Sequence, residues 1–173
     1  MKPDSLRRNL YLGTRDLHDA LDQSIGAFAD RDDYARYLLG TLQFRAALEP
    51  ALEGGDFAAL ELVGELRRDL ADLGLAPSPE MPPLALDTHE AKVAALYVSE
   101  GSAVGARLIS RKAAELGLDD GFGARHLAQQ TADRARWPAF LEWLEAQDVA
   151  QEAVVHEARK IFTLAKQAYR VDA

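Results

Sequence analysis

Apolar residues recur along this chain at spacings of three, four and seven, not two. Leu6, Leu10, Leu17, Leu21, Ile25 and Phe28 form one face of an amphipathic helix, with Thr14 and His18 on the same side. Pro3 suits the helix start and Asp4 can cap it. Residues 30–33 break the pattern and can cap a second helix, which Tyr34, Tyr37, Leu38, Leu42 and Phe44 carry to Pro50. After a turn at 53–56, Phe57, Leu60, Leu62, Val63, Leu66, Leu70 and Leu73 predict a third helical segment ending near Gly74.

Residues 76–86 contain four prolines and cannot be helix interior, but their Leu and Met residues favour packing across the surface. Asp87 and Glu90 have capping-box spacing at the start of a long helix, which runs to about Leu116 with Gly101 and Gly105 at its centre. Gly117 can end it, and 119–123 reads as a turn. Further helices are predicted near 124–134, 137–146 and 149–169. Val and Ile are few, no hairpin dipeptide separates alternating runs, and no repeat is visible. The expectation is an all-α, single-domain compact helical bundle over residues 1–173.

Composition narrows the function. The chain is 173 residues, 48% apolar and 28% charged, which is globular rather than disordered. It has no cysteine, so thiolate ligation, a cysteine nucleophile and disulfides are excluded. Net charge is -8 with no basic run, a poor match to a nucleic-acid partner. Charges interrupt the N-terminus, and no window approaches the ~20 apolar residues of a membrane span, so the expected location is cytoplasmic.

Two features could carry chemistry. His18 and Asp22 are one helical turn apart. A carboxylate at one imidazole nitrogen fixes the tautomer and leaves the other nitrogen for a metal. The same spacing also describes an idle surface pair. Gly101 and Gly105, with Ser102 between them, strip bulk from more than one turn, although each mid-helix glycine costs about 1 kcal/mol relative to Ala. They permit either close helix packing or close approach to something flat. His89, His126 and His156 show no metal-binding spacing, and Glu-x-x-His, GxGxxG, P-loop and GxSxG patterns are absent.

Three segments together resemble the haem oxygenases. Residues 10–22, LYLGTRDLHDALD, are similar to the family's proximal helix. Residues 97–118, YVSEGSAVGARLISRKAAELGL, are similar to its distal helix, especially in the bacterial, phytochrome-associated branch. Residues 137–169 resemble its W-x-x-F-x-x-x-L element and closing helix, here with Ala158 and Phe162.

The resemblance implies that His18 is the proximal iron ligand, with Asp22 where the family commonly has Glu. A shorter Asp side chain suggests a bridging water to His18. Gly101 and Gly105 fall at the distal glycines, and Ser102 stands where other branches have Asp. Tyr11 occupies a position usually held by Lys or Arg that binds a haem propionate, and losing that charge-assisted contact costs about 1–3 kcal/mol. Arg8, Arg15, Arg136 and Lys160 are the other propionate candidates.

The implied reaction is oxygen-dependent opening of haem to biliverdin, iron and carbon monoxide. Its partners would be haem, molecular oxygen and an electron donor such as a ferredoxin, flavodoxin or reductase, with chromophore supply to a phytochrome as a plausible role. The alternative is a non-catalytic haem-binding or haem-free regulatory protein on the same fold, suggested by Tyr11. A helical enzyme or transport factor for small aromatic ligands is a third reading, against which the distal motif argues.

Overall fold

The structure is a computed structural model that describes residues 5–25 and 28–170. Seven α-helices occur among these residues: α1 Leu6–Ile25, α2 Arg31–Leu48, α3 Val63–Asp72, α4 His89–Glu115, α5 Arg125–Ala132, α6 Arg136–Glu145 and α7 Gln151–Ala168. A 3-10 turn, Glu49–Leu52, extends α2. No β-strand occurs among the described residues. The all-α expectation therefore holds, with α1 three residues shorter than its apolar stripe because Phe28 packs from the loop beyond it.

Local chemistry sets the helix ends. Pro3 and Asp4 lie outside the described residues, and the hydroxyl of Ser5 accepts from Arg8 N (3.2 Å) at the α1 start. Asp30 caps α2, accepting from Asp33 N. Thr88, not Asp87, caps α4, its hydroxyl accepting from Ala91 N (3.1 Å). At the other end of α4, the Arg31 guanidinium donates to Leu116 O, and Gly117 takes the left-handed conformation (φ 76°) that closes the helix.

The third helix begins at Val63 and not near Phe57. The carboxylate of Glu49 accepts from Leu62 N (2.7 Å) and Val63 N (3.2 Å), so a distant side chain fixes the helix start. Phe57 packs instead on Phe140 and Trp143 from an irregular segment.

Two apolar clusters make the core. One joins α1, α4, α6 and α7 through residues such as Leu10, Ala94, Phe140 and Ala158. The other joins α2, α3 and α5 around Tyr34, Leu38, Leu66 and Leu127. Helix α4 contributes to both, through Val93–Val98 and through Ala106 and Ala113. Helix α1 lies tight on α7 because Gly13 has no side chain there: a Cβ would collide with Val155. The Arg159 guanidinium bonds Gly13 O and Asp16 across the same seam, and that hydrogen bond is the main reason the Asp16 carboxyl is held down to about 2.

Asp69 organises the start of α5. Fully buried, it accepts from Arg125 N (2.9 Å), His126 N (3.0 Å) and His126 Nδ1 (2.7 Å), and it pairs with the Arg125 guanidinium. Burial alone would raise its pKa, but the bonds from His126 and Arg125 more than offset this and hold it below the ordinary carboxylate range. Burial also pushes the His126 pKa below its usual value, against the pull of Asp69. His126 is therefore neutral, donating from Nδ1 and accepting from the Tyr37 hydroxyl at Nε2 (3.0 Å).

Asp69→Ala would strand these donors, and urea unfolding should show a loss of about 3 kcal/mol or more. A loss below about 1 kcal/mol would show that Asp69 does not anchor α5. In the parent protein both lowered pKa values act in one direction. The unfolded chain takes up protons that the native state refuses, so the two groups' stabilisation is full near neutral pH. It drains first below about 6.5, through His126, then through the carboxylate range.

Candidate functional site

Helices α1, α2, α4 and α7 enclose a cavity of about 540 Å³, with Trp137 of α6 at its wall. That size falls within the range of pockets for a large organic ligand, ~300–1,000 Å³. His18 and Asp22 line it from α1, and Gly101, Ser102 and Gly105 line it from α4.

Two histidines illustrate opposite fates of the same residue type. His126 is completely buried, with both ring nitrogens partnered. The His18 side chain is 54% exposed, and its Nδ1 lies 3.1 Å from Asp22 Oδ2. Asp22 thus reaches His18 directly, and the bridging water suggested by its shorter side chain is not needed. With the Asp22 carboxylate beside Nδ1, Nε2 is the ring nitrogen left for a ligand. The edge of Phe162 lies against the imidazole, with ring centroids 6.1 Å apart, and helps fix its orientation.

The α4 glycines differ in kind from Gly13. A Cβ on Gly105 would meet nothing within 4 Å, and one on Gly101 only the tip of Trp137 at 3.9 Å. Close helix packing therefore does not explain them. Their missing side chains leave α4 backbone at the cavity wall.

The remaining candidates separate clearly. Tyr11 lines the cavity, as does Arg7 one turn earlier, a residue the sequence pattern did not single out. Arg8 and Arg15 do not line it, and Arg15 lies toward Asp19 (3.7 Å). Arg136 is committed to Glu100 through two 2.7 Å bonds, and Lys160 to Glu157. Among the described residues no cluster of three metal-binding side chains occurs.

A polar group on the α4 side was also missed. Ser102 Oγ donates to Ser99 O (2.6 Å) and accepts from Arg45 (3.0 Å) and Gln130 (2.7 Å). Arg45 is 3% exposed yet lines the cavity. A signal for it existed: Tyr37, Thr41 and Arg45 repeat every four residues on the inward face of α2, where an arginine is out of place.

An all-helical frame thus places the His18 imidazole and the side-chain-free Gly101 and Gly105 on the walls of one cavity. The chain belongs to the haem oxygenase family. The sequence model described as heme oxygenase matches residues 79–170. Heme oxygenase PigA of Pseudomonas aeruginosa is 34% identical over 171 residues, covering 88% of this chain and 86% of that relative. The fold matches the NO- and CO-bound heme oxygenase of Neisseria meningitidis with a TM-score of 0.80 at 23% identity, over 97% of this chain and 94% of that one. No helix of the described residues is long and apolar enough to cross a membrane.

Proposed function

We propose that this chain, acting as one domain in the cytoplasm, is a haem oxygenase that binds haem between α1 and α4. His18 would hold the haem iron through its imidazole, with Asp22 beside it to orient the ring. Gly101 and Gly105 let the α4 backbone lie close to the ring, and Ser102 supplies a hydroxyl beside that face. Haem is substrate and cofactor at once: it activates oxygen and is itself opened to biliverdin, iron and carbon monoxide. Electrons come from a ferredoxin, flavodoxin or reductase, and biliverdin supply to a phytochrome is the downstream role this reading favours.

The observation that carries the proposal is the empty surrounding of Gly105. A glycine in a helix interior costs about 1 kcal/mol relative to Ala, and no packing contact here accounts for that cost. A flat ligand between α4 and His18 does.

The test is turnover. Haemin titration should give a Soret band at one equivalent. With oxygen, a reductant and catalase present, that band should decay as biliverdin absorbance rises. Haem that survives reduction in air would favour the non-catalytic alternative, and the absence of saturable binding would overturn the proposal.

Tyr11 raised that alternative because it lacks a charge. Arg7 supplies one a single turn away on the same cavity wall. Arg7→Ala is expected to weaken haem affinity about five- to a hundredfold, the loss of one charge-assisted contact. Adding Tyr11→Arg to that variant should recover most of it. Unchanged affinity in Arg7→Ala, measured by haemin titration, would remove Arg7 from the propionate edge.

A further inference from the structure

Arg45 presents an unusual electrostatic situation. Its guanidinium is buried, and no carboxylate among the described residues lies within ion-pair distance. Its three hydrogen bonds go to uncharged oxygens of α4: Ser99 Oγ at 2.7 Å, Ser99 O at 3.2 Å and Ser102 Oγ at 3.0 Å. Burial presses on the charged form, while Glu49 and Glu100 favour it only from a distance. Both acids are already engaged. Glu49 caps α3 through Leu62 N and Val63 N, and Glu100 is held bidentately by Arg136.

A buried, unpaired charge is costly, and arginine does not shed its proton in proteins. A site that holds one against a cavity wall has an unmet demand for negative charge, and here the open side of that demand is the cavity. Ser102 and Gln130 complete a donor-rich patch around it, since Gln130 Nε2 donates to the same Ser102 oxygen.

We propose that Arg45 is a cationic anchor for a small anion in the haem cavity, on the α4 side opposite His18, with Ser99 and Ser102 aiming its guanidinium. The inference rests on the haem-binding reading above. It goes beyond that reading in assigning the electrostatics of the α4 side to α2, a helix outside the family-like motifs. The ligand class is a compact anion able to sit between the metal and the guanidinium, and azide is the probe.

The experiment uses the full chain loaded with haem. In the ferric protein, Arg45→Met should raise the azide dissociation constant about tenfold or more, the scale of a lost charge-assisted contact. In the ferrous protein, the carbon–oxygen stretch of bound carbon monoxide should move to higher frequency, because a nearby cation no longer draws electron density toward the oxygen. Arg45→Lys, which keeps the charge, should hold azide affinity close to the parent. Should Arg45→Met fail to fold, Arg45→Gln keeps a donor for Ser99 and is read in the same way. Parent-like azide affinity and an unmoved stretch in a neutral variant would overturn the proposal. No Soret band in the parent protein would instead be a failure of the haem-binding reading.

Discussion

Haem-loaded His18→Ala protein should lose the absorption spectrum of a histidine-ligated haem, while the haem-free variant unfolds within about 0.5 kcal/mol of the parent. The two halves of this expectation have separate causes. The His18 side chain is 54% exposed, so truncating it opens no core cavity. Its ring lies beside Asp22 and the edge of Phe162. On the proposed reading, its contribution is the nitrogen it offers to the cavity. Added imidazole should partly restore the spectrum by occupying the vacated position. Asp22→Ala should produce a milder version, with affinity reduced about ten- to a hundredfold, because the partner that fixes the tautomer is lost but the ligand remains. A parent-like spectrum in His18→Ala would assign the axial ligand elsewhere. Haemin titration with thermal unfolding of the same preparations checks both halves.

Sequence periodicity made some of this structure legible and left other parts hidden for identifiable reasons. The α1 stripe through Leu6, Leu10 and Leu21 and the cap at Asp30 are local, and both appear in the structure as expected. The long α4 helix was bounded almost to the residue by its start signal and by Gly117. The α3 start was not, because its cap is Glu49, thirteen residues before Leu62. Such a side chain can be recognised only after the chain has folded back.

The same limit governed the site. His18 and Asp22 are i, i+4 neighbours, visible in one dimension. Arg45 and Ser102 are 57 positions apart, as are Asp69 and His126. Nothing in the local pattern around His126 distinguishes a core histidine held by a distant acid from an exposed one. Glycines posed a sharper version of this problem. Gly13 and Gly105 both sit inside helices, and helix propensity alone gives no reason to treat them differently. In the structure one is needed for packing against Val155, and the other touches nothing.

That contrast yields a prediction in which stability and function move in opposite directions. Gly105→Ala replaces the poorest ordinary helix former with the best, at a position where a Cβ meets no atom within 4 Å. The haem-free protein should gain about 0.5–1 kcal/mol, read as a higher urea midpoint with an unchanged slope. The added methyl nevertheless stands in the cavity opposite His18, so ring opening should slow even though the fold is firmer. Gly105→Leu carries the effect further. Its bulk cannot be absorbed by the α4 backbone, and haem affinity should fall about five- to a hundredfold, in line with the ~1–3 kcal/mol cost of overpacking a filled site. Far-UV circular dichroism should show the helix intact in both variants. A glycine retained for helix packing would behave in the opposite way, as Gly13→Ala should: the collision with Val155 would lower stability without reaching the cavity. If Gly105→Ala instead loses stability, or if Gly105→Leu binds and turns over haem like the parent, the α4 backbone does not lie against the ring, and the cavity serves a ligand held in another plane.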